Sequence, residues 1–441
     1  MPFKLLIVSN ILLLIISCAD ENRIVGKTEI TKWQHGKPAA ISLTYDDGSI
    51  NQFHEAIPIM NELGFPGTFY IVTGELAGSD NAATFIGRPV KEIIEETKTV
   101  QTNQQNFFER ASAIGFLGYE GTLKYHFQAG QLFEQEKITE AYKIIDSAYQ
   151  KVRAGTYKAG KDISNEAAET AENSWEEFKK YAAQGHEFGS HTISHPRLAV
   201  LDEANMLYEL EKSKADVLKQ LGPEHTFSAE APFGTEDERV MEHALKLFPA
   251  LRNRMPHPYL DEFNRGNKTN PGTSDKEYIQ WQRGALSLTT MRMMKSWVDT
   301  ILAHDNIWLV LVFHGIDGVG WEPKTHEELQ EYFEYMKKRE DKLWVATFRD
   351  VTKYMRERMD AKLDTEERDD QIVVSLTHSL DSTLYNLPLT LKTYVSPEWK
   401  NISVKQDKNE NMVKSMQDDK GSFILYQATP NGGAITLSKE L

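Results

Sequence analysis

Two carboxylates stand side by side where a strand-like run stops. Ala40-Ile41-Ser42-Leu43-Thr44-Tyr45 leads into Asp46-Asp47, and Gly48 follows at once. Far downstream, Ser190-His191-Thr192-Ile193-Ser194-His195-Pro196 sets two imidazoles four positions apart. Two histidines and one carboxylate make a three-ligand site for a divalent ion, with positions left open as a catalytic metal requires. The other carboxylate is then available as a base, because neighbouring residues at a strand end point in different directions. Such a set supports metal-assisted hydrolysis. Each half is weak alone: Asp-Asp-Gly is an ordinary turn, and a spaced His pair means little in a chain with 13 histidines.

The elements that must position these residues follow a regular rhythm. Short β-rich runs at 40–45, 67–72, 186–190, 226–231, 250–254, 307–313 and 343–348 alternate with amphipathic stretches such as 202–221 and 289–303. Asp202 and Thr289 read as N-caps of those two helices, and Gly222-Pro223 ends the first. The run Ile307-Trp308-Leu309-Val310-Leu311-Val312-Phe313 is apolar on both faces, as a parallel strand covered by helices would be. This alternation predicts an α/β domain built on a parallel sheet or barrel. Asp46, Asp47, Pro232-Phe233-Gly234 and His314 all fall at or just past C-terminal ends of predicted strands, the rim where barrel enzymes gather their catalytic side chains.

Residues 80–180, rich in Ala, Glu, Lys and Gln, read as a helical insertion between the second and third strands, clearest over 131–153 and 164–183. It either shapes the substrate cleft or decorates the barrel at a distance. After the charged stretch 356–371 the pattern changes to short alternating strands with an Asn431-Gly432-Gly433 turn, which predicts a small all-β, sandwich-like module. That module is either a sugar binder or a buttress for the barrel.

At 441 residues the chain is too long for one small core, and two domains are expected. A net charge of −15 argues against a nucleic-acid partner, since little would neutralise phosphates. The first eighteen residues read as a leader. Lys4 precedes the apolar run Ile11-Leu12-Leu13-Leu14-Ile15-Ile16, too short to span a bilayer, and Ser17-Cys18 follows. This resembles the lipobox of bacterial lipoproteins, which implies lipidation of Cys18 and membrane attachment through an N-terminal lipid anchor. Asp20-Glu21 resembles surface-export signals of some Gram-negative lipoproteins, implying a place in the cell envelope, at the outer membrane. Cys18 is the only cysteine, so internal disulfides and a cysteine-rich zinc site are excluded.

Thr44-Tyr45-Asp46-Asp47-Gly48, Ser190 to Pro196, Ala231-Pro232-Phe233-Gly234 and Leu311-Val312-Phe313-His314-Gly315 occur in that order. Together they resemble the polysaccharide deacetylases, the NodB-homology group of carbohydrate esterases, over roughly residues 35–355. The resemblance implies a distorted (β/α) barrel, placed over 19–360 with the insertion; the lipoprotein signal peptide over 1–18 and the β-module over 361–441 lie outside it. It implies one divalent metal held by Asp47, His191 and His195. Zn²⁺ comes first, and Co²⁺, Mn²⁺, Ni²⁺ or Fe²⁺ suit the same donors. It makes Asp46 the general base and His314 the general acid. Pro232-Phe233-Gly234 would line the cleft, with the Phe233 N–H helping to hold an oxyanion.

Two departures stand out. The family usually has Arg two residues before that Pro; Glu230 stands there instead, and near Asp46 it would raise the pKa of the base. Arg252 or Arg254, at the end of the next β run, are candidates to supply the missing charge. The Asp-Trp motif that usually tunes the catalytic histidine is not recognisable around 282–287, and Asp317 is the candidate partner for His314 or a shaper of the loop over 315–320. Among the tryptophans, Trp321 is the best placed to stack on a sugar; Trp281 is a weaker candidate, and Trp308 belongs to the buried run.

The expected activity is removal of N- or O-linked acetyl groups from an acetylated polysaccharide or oligosaccharide. Glu230 and the missing Asp-Trp motif motivate a competing expectation, a carbohydrate-binding surface lipoprotein with a degenerate, inactive catalytic domain. Hydrolysis of non-sugar amides is a third.

Overall fold

The computed structural model describes residues 24–440 apart from 256–259, 264–270, 272–273, 275 and 369. Cys18 and the rest of the expected leader lie outside the described residues. Among those described, no helix is long and apolar enough to cross a membrane.

Among the described residues, nine parallel strands form the main sheet. Its order is Ala250–Leu251, Ser228–Ala229, Glu187–Ser190, Thr68–Ile71, Ala39–Tyr45, Ile307–Phe313, Tyr278–Gly284, Leu260–Phe263, with Leu343–Val345 also pairing Ala39–Tyr45. Ala39–Tyr45 changes neighbours midway: Leu343–Val345 pairs with Ala39–Ile41, while Thr68 and Phe69 pair with Thr44 and Tyr45. The sheet therefore curls into an incomplete barrel. Every residue of Ala39–Tyr45 and Ile307–Phe313 is buried, as continuous apolar strands between helices must be.

Two of these strands are absent from the sequence reading. In Tyr278–Gly284 the buried Gln280 and Gln282 interrupt the apolar pattern, and both side-chain amides donate to the carbonyl of Arg252. Helix Glu203–Leu221 starts where expected, with the Asp202 carboxylate accepting from Asn205 N at 3.0 Å. Helix Met291–Leu302 is capped by Thr290 rather than Thr289. The expected helix over 131–153 is two helices, Leu123–Glu134 and Ile138–Arg153, parted where Glu136 turns left-handed at φ 62°. The insertion encloses its own apolar cluster, including Phe107, Tyr125, Ile145 and Tyr149.

The C-terminal residues form two antiparallel sheets. In Gln371–Thr377 only Ile372, Val374 and Leu376 are fully buried apolar positions, the period of two that one covered face requires. A strand from the other end of the chain, Thr28–Ile30, completes one sheet by pairing with Leu389–Tyr394. One apolar cluster joins Trp33, Ala40 and Trp308 of the barrel side to Leu389, Leu391 and Ile424 of the β-module. The β-module thus shares one strand and one apolar cluster with the residues before 361.

Candidate metal centre and active site

Asp46 and Asp47 leave the strand in opposite senses because the chain turns sharply there. Asp47 sits at φ 74° and Gly48 at φ 80°. Asp47 aims its carboxylate at the loop after Glu187–Ser190, where His191 Nε2 lies 3.5 Å and His195 Nε2 3.3 Å from its Oδ1. That loop also bends left-handed, at Thr192 (φ 69°) and His195 (φ 57°), and it is not helical. Glu209 fastens it from helix Glu203–Leu221, accepting from Ile193 N at 2.8 Å, Ser194 N at 3.0 Å and Ser194 Oγ at 2.6 Å.

These spacings fit one bound ion. Donors about 2.0–2.2 Å from a tetrahedral metal stand about 3.4 Å apart, and both imidazoles stand at that distance from Asp47. Charge also favours a cation there. Asp46, Asp47 and Glu230 are three buried carboxylates beside one buried guanidinium, Arg252, and Glu166 adds a further carboxylate at His195. Burial opposes ionisation of Asp47, yet hydrogen bonds from His191 and His195 hold its carboxyl well below the usual range. Burial likewise disfavours the His195 imidazolium, but Asp47 and Glu166 outweigh it and push the His195 pKa up to about 9.

Asp46 faces the other way. Arg252 grips it through two parallel hydrogen bonds of 2.7 and 2.6 Å and also contacts Glu230 Oε1 at 2.7 Å. The backbone of Glu230 takes part as well, its carbonyl accepting from His191 Nδ1 at 2.9 Å. Burial alone would raise the Asp46 pKa, but the Arg252 guanidinium prevails and lowers it. His314 closes the group, with Nε2 at 3.5 Å from Asp46 Oδ2. Gln52 ties these two residues at the backbone, its side-chain amide donating to the carbonyls of Asp46 and His314.

Residues 127–247 match the sequence profile of the polysaccharide deacetylase family. Over this stretch the chain is similar to the polysaccharide deacetylase family. The matched stretch carries His191, His195 and Pro232 to Gly234, whereas Asp46, Asp47, Arg252 and His314 lie outside it. A gellan lyase from Bacillus sp is 26% identical over 281 residues, covering 60% of this chain and 11% of that protein. The chain thus spans about a tenth of that relative's length. Among solved structures, a protein of Mycobacterium smegmatis described as a polysaccharide deacetylase aligns over 78% of this chain and 99% of its own, with TM-score 0.40 and 12% identity. A family 4 carbohydrate esterase from Bacillus anthracis aligns over 75% and 86%, with TM-score 0.31 and 13% identity.

The cleft, about 400 Å³, is walled by Phe233 and Trp321 above the carboxylates and imidazoles. Phe233 turns at φ 63° between Pro232 and Gly234, laying its ring 4.7 Å from that of His195 and 4.1 Å from the Arg197 guanidinium. Trp321 is half exposed and stands edge-on to His314, ring centres 4.6 Å apart. Trp281 and Trp308 are fully buried in the core. Of the two candidate arginines, Arg252 reaches Asp46, while Arg254 donates to the backbone carbonyl of Glu236. Asp317, expected near His314, instead accepts from His326 N at 2.9 Å and gathers with Glu55 and His326 at the start of helix His326–Lys337. Backbone bends the chain there: Asp317 itself sits at φ 49°.

Four contributors to this centre escaped the sequence reading. Glu166 Oε2 lies 3.4 Å from His195 Nδ1, Thr170 Oγ1 donates to the carbonyl of Asp47 at 2.6 Å, and Asn173 Nδ2 donates to that of Gly48 at 2.8 Å. Gln52 is the fourth. The first three belong to the insertion, whose composition reads only as helix, and carboxamide or hydroxyl contacts to backbone carry no sequence signature.

Proposed function

We propose that this chain is a metal-dependent hydrolase that removes acetyl groups, N- or O-linked, from a polysaccharide or oligosaccharide. The observation that carries this reading is the convergence of Asp47, His191 and His195, whose ligand atoms lie within 4.8 Å of one another beside an arginine-held Asp46. A divalent ion at those three ligands would supply Lewis-acid chemistry, polarising the acetyl carbonyl and acidifying a water. The chain's own groups do the rest. Asp46 takes the proton as water adds to the acetyl carbon, because Arg252 uses one lone pair on each carboxylate oxygen and leaves another on each. His314, 3.5 Å away, is placed to give a proton to the departing amine or alcohol, so that acetate and the free sugar group result. Trp321 offers an apolar face for a sugar ring at the mouth.

Arg252 also bears on the inactive-domain reading. Its charge offsets Glu230 at the base, so the residue that motivated that reading is matched by a compensating cation. Attachment to the outer membrane through a lipid on Cys18 belongs to the same proposal and rests on the leader's lipobox-like residues. Incorporation of labelled fatty acid that disappears in Cys18→Ala tests it.

The central experiment pairs acetate release on acetylated glycans with metal analysis. Asp47→Ala, His191→Ala and His195→Ala are expected to lose both the ion and turnover. Asp46→Asn is expected to keep the ion and lose turnover. Full activity in Asp46→Asn would remove the assigned base. Tight glycan binding by the metal-loaded chain without acetate release would favour the binding-protein reading.

A further inference from the structure

Both loops that carry the ligands of the proposed ion are held in unfavourable backbone. Asp47, Thr192 and His195 are left-handed at φ 74°, 69° and 57°. For residues other than glycine such conformations cost about 1–3 kcal/mol each and persist only where the surroundings over-determine them. Here the surroundings include one short piece of the insertion. Thr170 and Asn173 bond the carbonyls of Asp47 and Gly48, Ser164 Oγ bonds the carbonyl of Ser194 at 3.1 Å, and Glu166 faces His195. A stretch of ten residues thus touches both ligand loops, which lie over a hundred positions apart in the chain.

The two imidazoles are served differently. His191 Nδ1 meets a carbonyl of the barrel itself, that of Glu230. His195 Nδ1, buried and without a hydrogen-bond partner among the described residues, instead faces a carboxylate from the insertion, Glu166 Oε2 of helix Asn165–Thr170, at 3.4 Å. In both rings Nε2 is turned toward Asp47. A neutral imidazole that carries its proton on Nδ1 has its Nε2 lone pair available as a ligand, and an acceptor at Nδ1 fixes that tautomer and the ring's orientation.

We propose that Glu166 is a positioning residue for His195, so that the helical insertion is part of the metal centre rather than an addition to the barrel. This inference rests on the metal reading above. Glu209 makes the role separable from folding. It holds Ile193 and Ser194 from the opposite side, so the loop keeps three of its hydrogen bonds when Glu166 is removed.

The test uses the full chain, stripped of metal and titrated with Zn²⁺ against a chromophoric chelator, with thermal melting of the metal-free form in parallel. Glu166→Ala is expected to weaken Zn²⁺ binding about 10–100-fold, the usual cost of losing such an acceptor. Glu166→Gln, whose amide oxygen can still accept from Nδ1, is expected to recover most of that loss. The metal-free melting temperature should stay within a few degrees of the native chain for both. Zn²⁺ affinity in Glu166→Ala within twofold of native would overturn the inference, as would Glu166→Gln binding as weakly as Glu166→Ala. A native chain that binds no ion would overturn the metal reading, and this inference with it. Native binding lost in His191→Ala but indifferent to Glu166 would overturn this inference alone.

Discussion

Arg252 lays its guanidinium flat against Asp46, Nη1 on Oδ1 at 2.7 Å and Nη2 on Oδ2 at 2.6 Å, with the second nitrogen also on Glu230. One cation thus holds two buried carboxylates. Removing it leaves both uncompensated, a situation that costs about 3–5 kcal/mol in buried pairs. Arg252→Ala should lower the melting temperature and cut acetate release by about 10²-fold or more. Arg252→Lys should restore little, because an ammonium cannot bridge both oxygens in the same plane. Near-native activity in Arg252→Lys would show that charge alone suffices.

Glu230→Gln tests the other half of that triangle. Without the second carboxylate, the guanidinium serves Asp46 alone and depresses its pKa further, making it a weaker base. The expected outcome is a fall in turnover of less than about tenfold with KM unchanged, measured on the metal-loaded chain. Loss comparable to Asp46→Asn would assign Glu230 a direct part in the chemistry.

The pH dependence of metal binding follows from His195. Its pKa in the metal-free fold, about 9, exceeds the ordinary value of 6.5. The stabilisation from its proton is therefore complete below pH about 6.5 and disappears as pH rises through about 9. An ion takes the place of that proton, so its own stabilising effect runs the opposite way. The thermal shift produced by a fixed excess of Zn²⁺ should grow between pH about 6 and 9. A constant shift across that window would contradict proton–metal exchange at His195.

Gly315 lets the loop after His314 fold back on itself. A Cβ there would stand 2.5 Å from the carbonyl oxygen of Val319 and 2.7 Å from the backbone of Gly320. Neither can give way without moving the segment that carries Trp321. Gly315→Ala should cost about 1–3 kcal/mol and raise KM, since the tryptophan edge beside His314 moves with the loop. Differential scanning calorimetry and initial rates read the two effects separately.

Because Trp33 and Trp308 share one apolar cluster with Leu389 and Ile424, the barrel should not survive loss of the β-module. A chain ending at residue 360 is expected to lose cooperative melting or to aggregate. A soluble truncated chain with native melting and metal affinity would show that the module is dispensable.

Much of this was written in local pattern. Fully apolar runs dictated parallel buried strands, and alternating runs dictated the antiparallel module, because side-chain period and burial are properties of a few adjacent residues. The strand Tyr278–Gly284 escaped that logic, since its glutamines face inward to hold Arg252 by the carbonyl.

The linear order of Asp46-Asp47, His191, His195 and His314 determined which groups could do chemistry, since residue type and spacing limit what each can ligate or protonate. Only the tertiary structure decided who supports them. It chose Arg252 over Arg254, sent Asp317 to a helix start, and brought Glu166 and Thr170 from the insertion to the ligand loops. Those choices depend on where a strand ends and how a sheet curls. The contacts of Arg252 with Asp46 and of Thr170 with Asp47 join residues over a hundred positions apart, and no local pattern encodes which distant partner arrives.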